Sequence, residues 1–364
     1  MAGDLNANQG RRRSIALSAA AVMRPVMTPV LVSSLGLLLS ACASAPLLMS
    51  SSPKQNQPLL RPPKLKTSAR VGLIAPGGYI EDSLLEKSVK NLRYLGFEVI
   101  TSTNIRAIWG GYAGTVKQRV DDLHAMFADP TIDAIWAVRG GSGANALLPY
   151  LDYELIRANP KILIGYSDVT ALLLAINHRT GLICFHGPVA SSTFSDYSVA
   201  NFKAVLMNTD LPCVLKLNID QRDNHQVLRP GIAQGRLLGG NLSVLGSLIG
   251  TPYLSPLVDR LLFLEEISEA PYRIDRFFNQ LQQVGLPKTA AVMLGVFVKC
   301  DPLDNDRSLT LNAVLQSQLG SLGLPSVYGY SFGHIAGQMT LPIGVMARLD
   351  TESKTLTLLE SAVS

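Results

Sequence analysis

Between residues 70 and 188 short apolar runs alternate with stretches of helical period, and this alternation constrains the fold more than any other feature. Residues 70–75 (RVGLIA) form a β-rich run closed by Pro76-Gly77-Gly78. Over 81–95, Leu84, Leu85, Val89, Leu92 and Leu95 fall near one helical face, and Gly96 stops the helix. Strand-like runs follow at 97–100, 132–138, 161–165 and 182–188, with helices expected over 115–128, 144–151 and 169–180. Strands separated by helices require a parallel sheet covered on both faces. The expected fold is therefore α/β, with a flavodoxin-like, doubly wound domain at the N-terminal side.

The pattern changes after about residue 195. Residues 195–232 are mixed and polar, and 235–250 are Gly-rich and apolar. Strand-like runs at 260–264 and 291–298 flank a helix expected over 275–283. A helix over 308–319, a strand at 326–330 and runs at 344–350 and 355–360 close the chain. This predicts a second α/β domain. The domain plan is 69–190 for the first domain, 191–230 for a linker and 231–362 for the second. With 47% hydrophobic and 16% charged residues, the composition excludes a disordered chain.

The net charge of +5 is unevenly placed: Arg11, Arg12, Arg13 and Arg24 stand against Asp4 in residues 1–42, leaving 28 basic and 26 acidic residues in the rest. A body this near neutrality offers no footprint for nucleic acid, which is not an expected partner. A basic start followed by an uncharged run at 26–41 is a signal-peptide pattern, and about 20 apolar residues would be needed to span a bilayer. The run ends in Leu39-Ser40-Ala41-Cys42, which resembles the lipobox of bacterial lipoproteins. That resemblance implies a signal peptide over 1–42 and lipidation of Cys42 as a membrane anchor. It implies a periplasm-facing protein, with the outer membrane favoured by Ala43; a leader that is not used would leave the protein cytoplasmic. Residues 43–68, rich in Ser, Pro, Gln and Lys, read as a flexible tether.

Beyond Cys42 the cysteines are Cys184, Cys213 and Cys300. Cys184 and Cys300 lie in apolar runs and read as buried free thiols. With no CxxC, HExxH or close Cys/His pair, no metal and no cofactor is expected.

Ligands of a parallel sheet bind beyond the carboxyl ends of its strands. The run at 161–165 ends in Gly165-Tyr166-Ser167-Asp168 and feeds a helix. A strand, a sharp turn bearing serine and a helix form a nucleophile-elbow context, although Val169 replaces the last glycine of G-x-S-x-G. Pro76-Gly77-Gly78 and Arg139-Gly140-Gly141 supply backbone amides at neighbouring strand ends. A serine nucleophile needs a base, and the base needs an orienting carboxylate. His186 and His334 both follow apolar runs and precede turns, and composition leaves both open as the base; His124, His178 and His225 read as structural or loop residues. Glu265 and Glu266 stand together at a strand end, where only one can face the site.

Five segments, 139–143 (RGGSG), 164–168 (IGYSD), 239–243 (GGNLS), 262–276 (LFLEEISEAPYRIDR) and Gly333-His334, resemble the LD-carboxypeptidases. This serine-peptidase family also holds the microcin C immunity hydrolases. The resemblance covers about residues 70–350. It implies an active site in the cleft between the two domains, with Ser167 as nucleophile, Glu265 as orienting carboxylate and His334 as base. It implies an oxyanion hole from the Gly141 and Asp168 amides, and a return of His186 to a structural role. Arg139, Asn241 and Arg273 are candidate substrate-binding residues, the arginines for a terminal carboxylate. The implied substrate is a murein tetrapeptide that loses its terminal D-alanine, and family members often form homodimers. Two other readings stand beside this one: an amidase of the same family acting on a peptidyl or aminoacyl nucleotide, and a lipid-anchored solute-binding protein without catalysis.

Overall fold

A computed structural model of the chain describes residues 58–303 and 307–364. The signal peptide, Cys42 and the tether up to residue 57 lie outside the described residues. Along the chain run β1 (Arg70–Ile74), α1 (Asp82–Tyr94), β2 (Glu98–Thr101), α2 (Val116–Ala128), β3 (Ala134–Ala137), α3 (Tyr153–Ala158), β4 (Ile162–Gly165), α4 (Thr170–Thr180) and β5 (Cys184–His186). They are followed by α5 (Asp196–Leu206), β6 (Cys213–Lys216), β7 (Gln226–Arg229), β8 (Ile232–Asn241), α6 (Leu242–Ser247), β9 (Arg260–Ile267), α7 (Pro271–Val284), β10 (Ala291–Val298), α8 (Leu311–Leu319), β11 (Ser326–Tyr328), β12 (Leu341–Ile343), β13 (Met346–Asp350) and β14 (Thr355–Leu358).

The first sheet has the order β2-β1-β3-β4-β5-β12. Its first five strands are parallel, in the 2-1-3-4-5 order of a flavodoxin-like sheet. Strands β3 and β4 are buried along their whole length, which is why they read as unbroken apolar runs rather than as alternating ones. Trp136 sits at the centre, its ring packed on Phe97, Phe194 and Phe202 and its indole N–H donated to Pro188 O at 2.7 Å. Helix α2 begins with a capping box between Thr115 and Gln118. Residues 144–150 form a 3-10 segment rather than an α-helix; Gly143 in the left-handed region and Pro149 bracket a stretch too tight for α-helical bonding.

The second sheet has the order β6-β14-β13-β8-β9-β10-β11-β7. Strands β8 to β11 are parallel neighbours, and the flanking strands are antiparallel. Both sheets belong to one compact unit.

Three boundaries differ from the domain plan. The 191–230 segment is not a plain linker, because β6 and β7 pair into the second sheet as opposite edge strands. The 231–362 segment is not confined to the second sheet: β12 returns to pair antiparallel with β5, Leu341 opposite His186. The described end of the tether is packed. Leu60 N–H donates to Gly181 O at 2.8 Å, Leu65 is buried, and Lys64 N–H donates to Ser364 O at 3.0 Å. Each of these pairings joins segments far apart in sequence, and local pattern carries no trace of them.

Candidate active site

The turn after β4 places Ser167 with φ +62°, in the left-handed region that non-glycine residues rarely occupy. Ser167 opens a short 3-10 turn that runs directly into α4. A strained residue between a buried strand and a helix is the geometry of a nucleophile elbow. The missing last glycine of the motif is accommodated at Gly165, where a Cβ would stand 2.8 Å from Val169 Cγ1. Gly140 lies against the serine itself: a Cβ there would stand 2.8 Å from Ser167 Cβ, 3.0 Å from Oγ and 3.1 Å from the Asp168 amide nitrogen.

Two further loops close on this turn. Gly78 N–H donates to Gly140 O at 3.0 Å. In a trans peptide that leaves the Gly141 N–H directed away from the Gly78 loop. The Asp168 carboxyl does not face the serine; it accepts the Ala144 N–H at 2.9 Å and caps the 3-10 segment. Burial raises its pKa, opposed by that bond, by the Arg119 charge and by a bond from Gly143. Arg119, 3% exposed on α2, donates through Nη1 to Pro76 O at 2.7 Å and to Gly143 O at 3.1 Å. Sequence reasoning missed it. Its signal is a charged residue within the buried register of α2, which also contains Val120, Leu123 and Phe127.

The second sheet supplies a carboxylate, and the segment between β11 and β12 a histidine. His334 Nδ1 is 2.8 Å from Glu265 Oε2. Glu265 is fully buried near the end of β9, and His334 is half-buried. Gly333 has φ +108°, and a Cβ there would stand 3.0 Å from Glu265 Cβ, so the close approach of the two residues requires glycine. The His334 ring meets the Tyr166 ring with centroids 4.9 Å apart. Tyr166 precedes Ser167, so the histidine stands beside the serine turn. Burial and then the Glu265 charge push the Tyr166 phenol pKa up.

Glu266 is turned elsewhere. Its Oε1 accepts Asn241 Nδ2 at 2.9 Å and the Ile267 N–H at 2.8 Å, and its Oε2 accepts the Ser243 N–H at 2.8 Å. Burial raises its pKa, with these bonds opposing. Successive side chains of a strand point to opposite faces, and here the two faces separate a histidine partner from a backbone tie.

The candidate substrate residues divide. Asn241 is buried, and its side chain is engaged by Glu266, by Ser243 Oγ at 2.9 Å and by the Val244 N–H at 3.1 Å as the N-cap of α6. Its side chain ties the end of β9 to the start of α6. Its N–H donates to Thr170 Oγ1 at 3.1 Å, tying β8 to the helix that follows Ser167. Arg139 is exposed, with its Nε 3.7 Å from the position a Cβ on Gly78 would take. Arg273 is exposed on α7, bonded to Glu269 at 3.3 Å and to the Tyr272 hydroxyl at 3.2 Å. His186 is fully buried among Tyr166, Phe263 and Phe332. Burial lowers its pKa to about 4, so it is a neutral core residue. His124 accepts the Asp152 N–H at 2.9 Å, and His178 Nδ1 lies 3.0 Å from Ser255 Oγ. Among the described residues, no cluster of three or more His, Cys, Asp or Glu side chains could hold a metal.

A family model described as the LD-carboxypeptidase N-terminal domain matches residues 71–187, and one for the C-terminal domain matches residues 234–349. The probable murein peptide carboxypeptidase of Bacillus subtilis is 36% identical over 310 residues, covering 84% of this chain and 95% of that protein. The chain belongs to the LD-carboxypeptidase family. Like other LD-carboxypeptidases it is a serine-type carboxypeptidase hydrolase. The solved structure of the muramoyltetrapeptide carboxypeptidase from Oxalobacter formigenes is similar, with TM-score 0.70, 29% identity and coverage of 80% of this chain and 98% of that one. MccF in complex with glutamyl sulfamoyl guanosine has TM-score 0.78 and 26% identity, covering 84% of this chain and all of that one. The shared two-sheet α/β fold places the Ser167 turn and the Glu265–His334 pair within one LD-carboxypeptidase architecture.

Proposed function

We propose that this protein releases terminal D-alanine from murein tetrapeptide stems through an acyl-enzyme on Ser167. The observation that carries the reading is the 2.8 Å His334–Glu265 contact beside the Tyr166–Ser167 turn. His334 takes the Ser167 proton as Oγ attacks the carbonyl carbon of the bond to D-alanine. Glu265 accepts the Nδ1–H, which leaves Nε2 as the basic nitrogen, and it stabilises the imidazolium that forms. The Gly141 and Asp168 amides receive the developing oxyanion. His334 then protonates the departing amine, and water resolves the ester by the same proton path in reverse. Arg139, exposed beside the Gly78 loop, is placed in this reading to fork onto the terminal carboxylate.

The leader supports an exported, Cys42-anchored protein facing the periplasm, so that its substrates are sacculus or muropeptide stems. A homodimer is the assembly that the family implies.

A second reading is an amidase acting on an aminoacyl or peptidyl nucleotide. It is favoured by the Trp109–Tyr112 ring pair, whose centroids lie 5.9 Å apart, on a loop paired to Gly78; Trp109 is 57% exposed.

Product analysis tests these readings. The full chain and Ser167→Ala are incubated with disaccharide tetrapeptide, and D-alanine release is followed by mass spectrometry. Loss of one alanine with the wild type alone is expected. Release by both proteins removes Ser167 as nucleophile. Release by neither, with cleavage of an aminoacyl sulfamoyl nucleoside, moves the assignment to the second reading.

A further inference from the structure

We propose that Arg119 is a positioning residue for acyl transfer, clamping the loops after β1 and β3 so that the backbone amides around Ser167 are held ready for a tetrahedral oxyanion. This inference rests on the serine-hydrolase reading above.

One buried guanidinium joins three strand ends. Its Nη1 donates to Pro76 O at 2.7 Å in the loop after β1, and to Gly143 O at 3.1 Å in the loop after β3. Its charge acts on the buried Asp168 carboxyl in the turn after β4, and that carboxyl in turn holds the Ala144 N–H at 2.9 Å. The Tyr112 ring covers the guanidinium, 5.3 Å from Cζ to the ring centroid. A charge buried to this extent is costly unless it is bonded, and what it binds here is carbonyl oxygens of two loops rather than a surface carboxylate.

The loops so joined carry the groups that meet Ser167. Gly140 presses on the serine, and the Gly78–Gly140 bond of 3.0 Å sets the orientation of the Gly141 amide. Without Arg119, Pro76 O and Gly143 O lose their shared donor, and the Gly78–Gly140 bond is left to hold the two loops without that clamp. Preorganised donors act on charge that appears only in the transition state. Loss of the clamp therefore affects turnover and leaves ground-state binding in place. A displacement of about 1 Å costs on the order of 10²-fold in rate.

The test uses the full chain as wild type, Arg119→Met, Arg119→Lys and Ser167→Ala, with disaccharide tetrapeptide as substrate. An anionic phosphonate analogue of the scissile amide serves as the tetrahedral probe. Arg119→Met is expected to lower kcat by about 10²-fold with KM within about 3-fold, and to weaken phosphonate inhibition by a similar factor. Arg119→Lys, which keeps a cation but loses the planar fork, is expected to fall between the two. A folded Arg119→Met with kcat and phosphonate affinity within about 3-fold of wild type overturns the proposal, as does a raised KM at unchanged kcat. If Arg119→Met does not fold, equal loss of substrate and phosphonate affinity in Arg119→Lys overturns it. D-alanine release that persists in Ser167→Ala overturns the serine reading as well. A normal dependence on Ser167 with an unaffected Arg119→Met overturns the clamp alone.

Discussion

On the first sheet, Ser167 is placed by backbone: a φ of +62°, glycines at 140 and 165 that admit close neighbours, and loop carbonyls joined by Arg119. Beside the second sheet, His334 is placed by a side chain of that sheet, the buried carboxylate of Glu265. The turn resists change because a Cβ in the wrong place meets fixed atoms. The pair resists change because a buried carboxylate without its partner is costly. The Ser167 turn is therefore sensitive to steric substitution, and the placement of His334 to loss of the Glu265 charge or proton acceptor.

Substitutions separate these two kinds of support. Ser167→Ala is expected to lower kcat most, by about 10⁶-fold, because it removes the covalent route; a loss under 10²-fold would remove the serine from the centre of the comparison. Glu265→Gln is expected to cost about 10⁴-fold in kcat, because an amide facing Nδ1 favours the tautomer with the proton on Nε2 and no longer stabilises the imidazolium. Glu266→Gln, measured beside it, is expected to change kcat by less than about 10-fold and to appear instead as about 1–3 kcal/mol of lost stability, since its oxygens hold backbone and Asn241. Equal kinetic losses would erase the distinction between the two carboxylates.

Gly140→Ala adds a methyl group 2.8 Å from Ser167 Cβ. It is expected to lower kcat by about 10²-fold while unfolding remains cooperative, because the serine or its amides must shift. Kinetics and thermal unfolding of the purified variant check this.

An effect on stability rather than on turnover comes from His186. His186 has a folded pKa of about 4 against an ordinary 6.5, lowered by burial. Between those values the unfolded chain binds more protons than the folded one, so stability falls as pH drops from 6.5 to 4. The full loss is about 3 kcal/mol. His186→Phe, set among Phe263 and Phe332, is expected to remove that part of the pH dependence. Urea unfolding of both proteins at pH 7 and pH 4.5 measures it, and an unchanged slope would show that His186 does not remain neutral.

The first sheet was legible in the sequence almost strand by strand. Parallel strands buried on both faces must be apolar throughout, and the helices between them carry their period locally. The serine turn was legible for the same reason: strand, small residue, serine and helix are contiguous. The exception in the first sheet is β12, the antiparallel edge strand that reaches it from far along the chain. The second sheet was less legible, since β6 and β7 are short edge strands whose partners are likewise distant in sequence. The choice of Glu265 over Glu266, and of His334 over His186, had no basis in local pattern. Adjacent residues of a strand face opposite ways, and which face meets the site depends on what packs there. Asn241 has the composition of a binding residue and the contacts of a structural one. The partners of Arg119 are carbonyls of two loops remote from its helix in sequence. The sequence by itself determined the order of elements and set Ser167 in a turn between strand and helix, because periodicity and turn chemistry act over a few residues. The family resemblance pointed to Glu265 and His334, but only the tertiary structure brought the two into contact, turned Glu266 to the opposite face and closed two loops on Arg119, because burial and hydrogen-bond partners are set by segments distant in the chain.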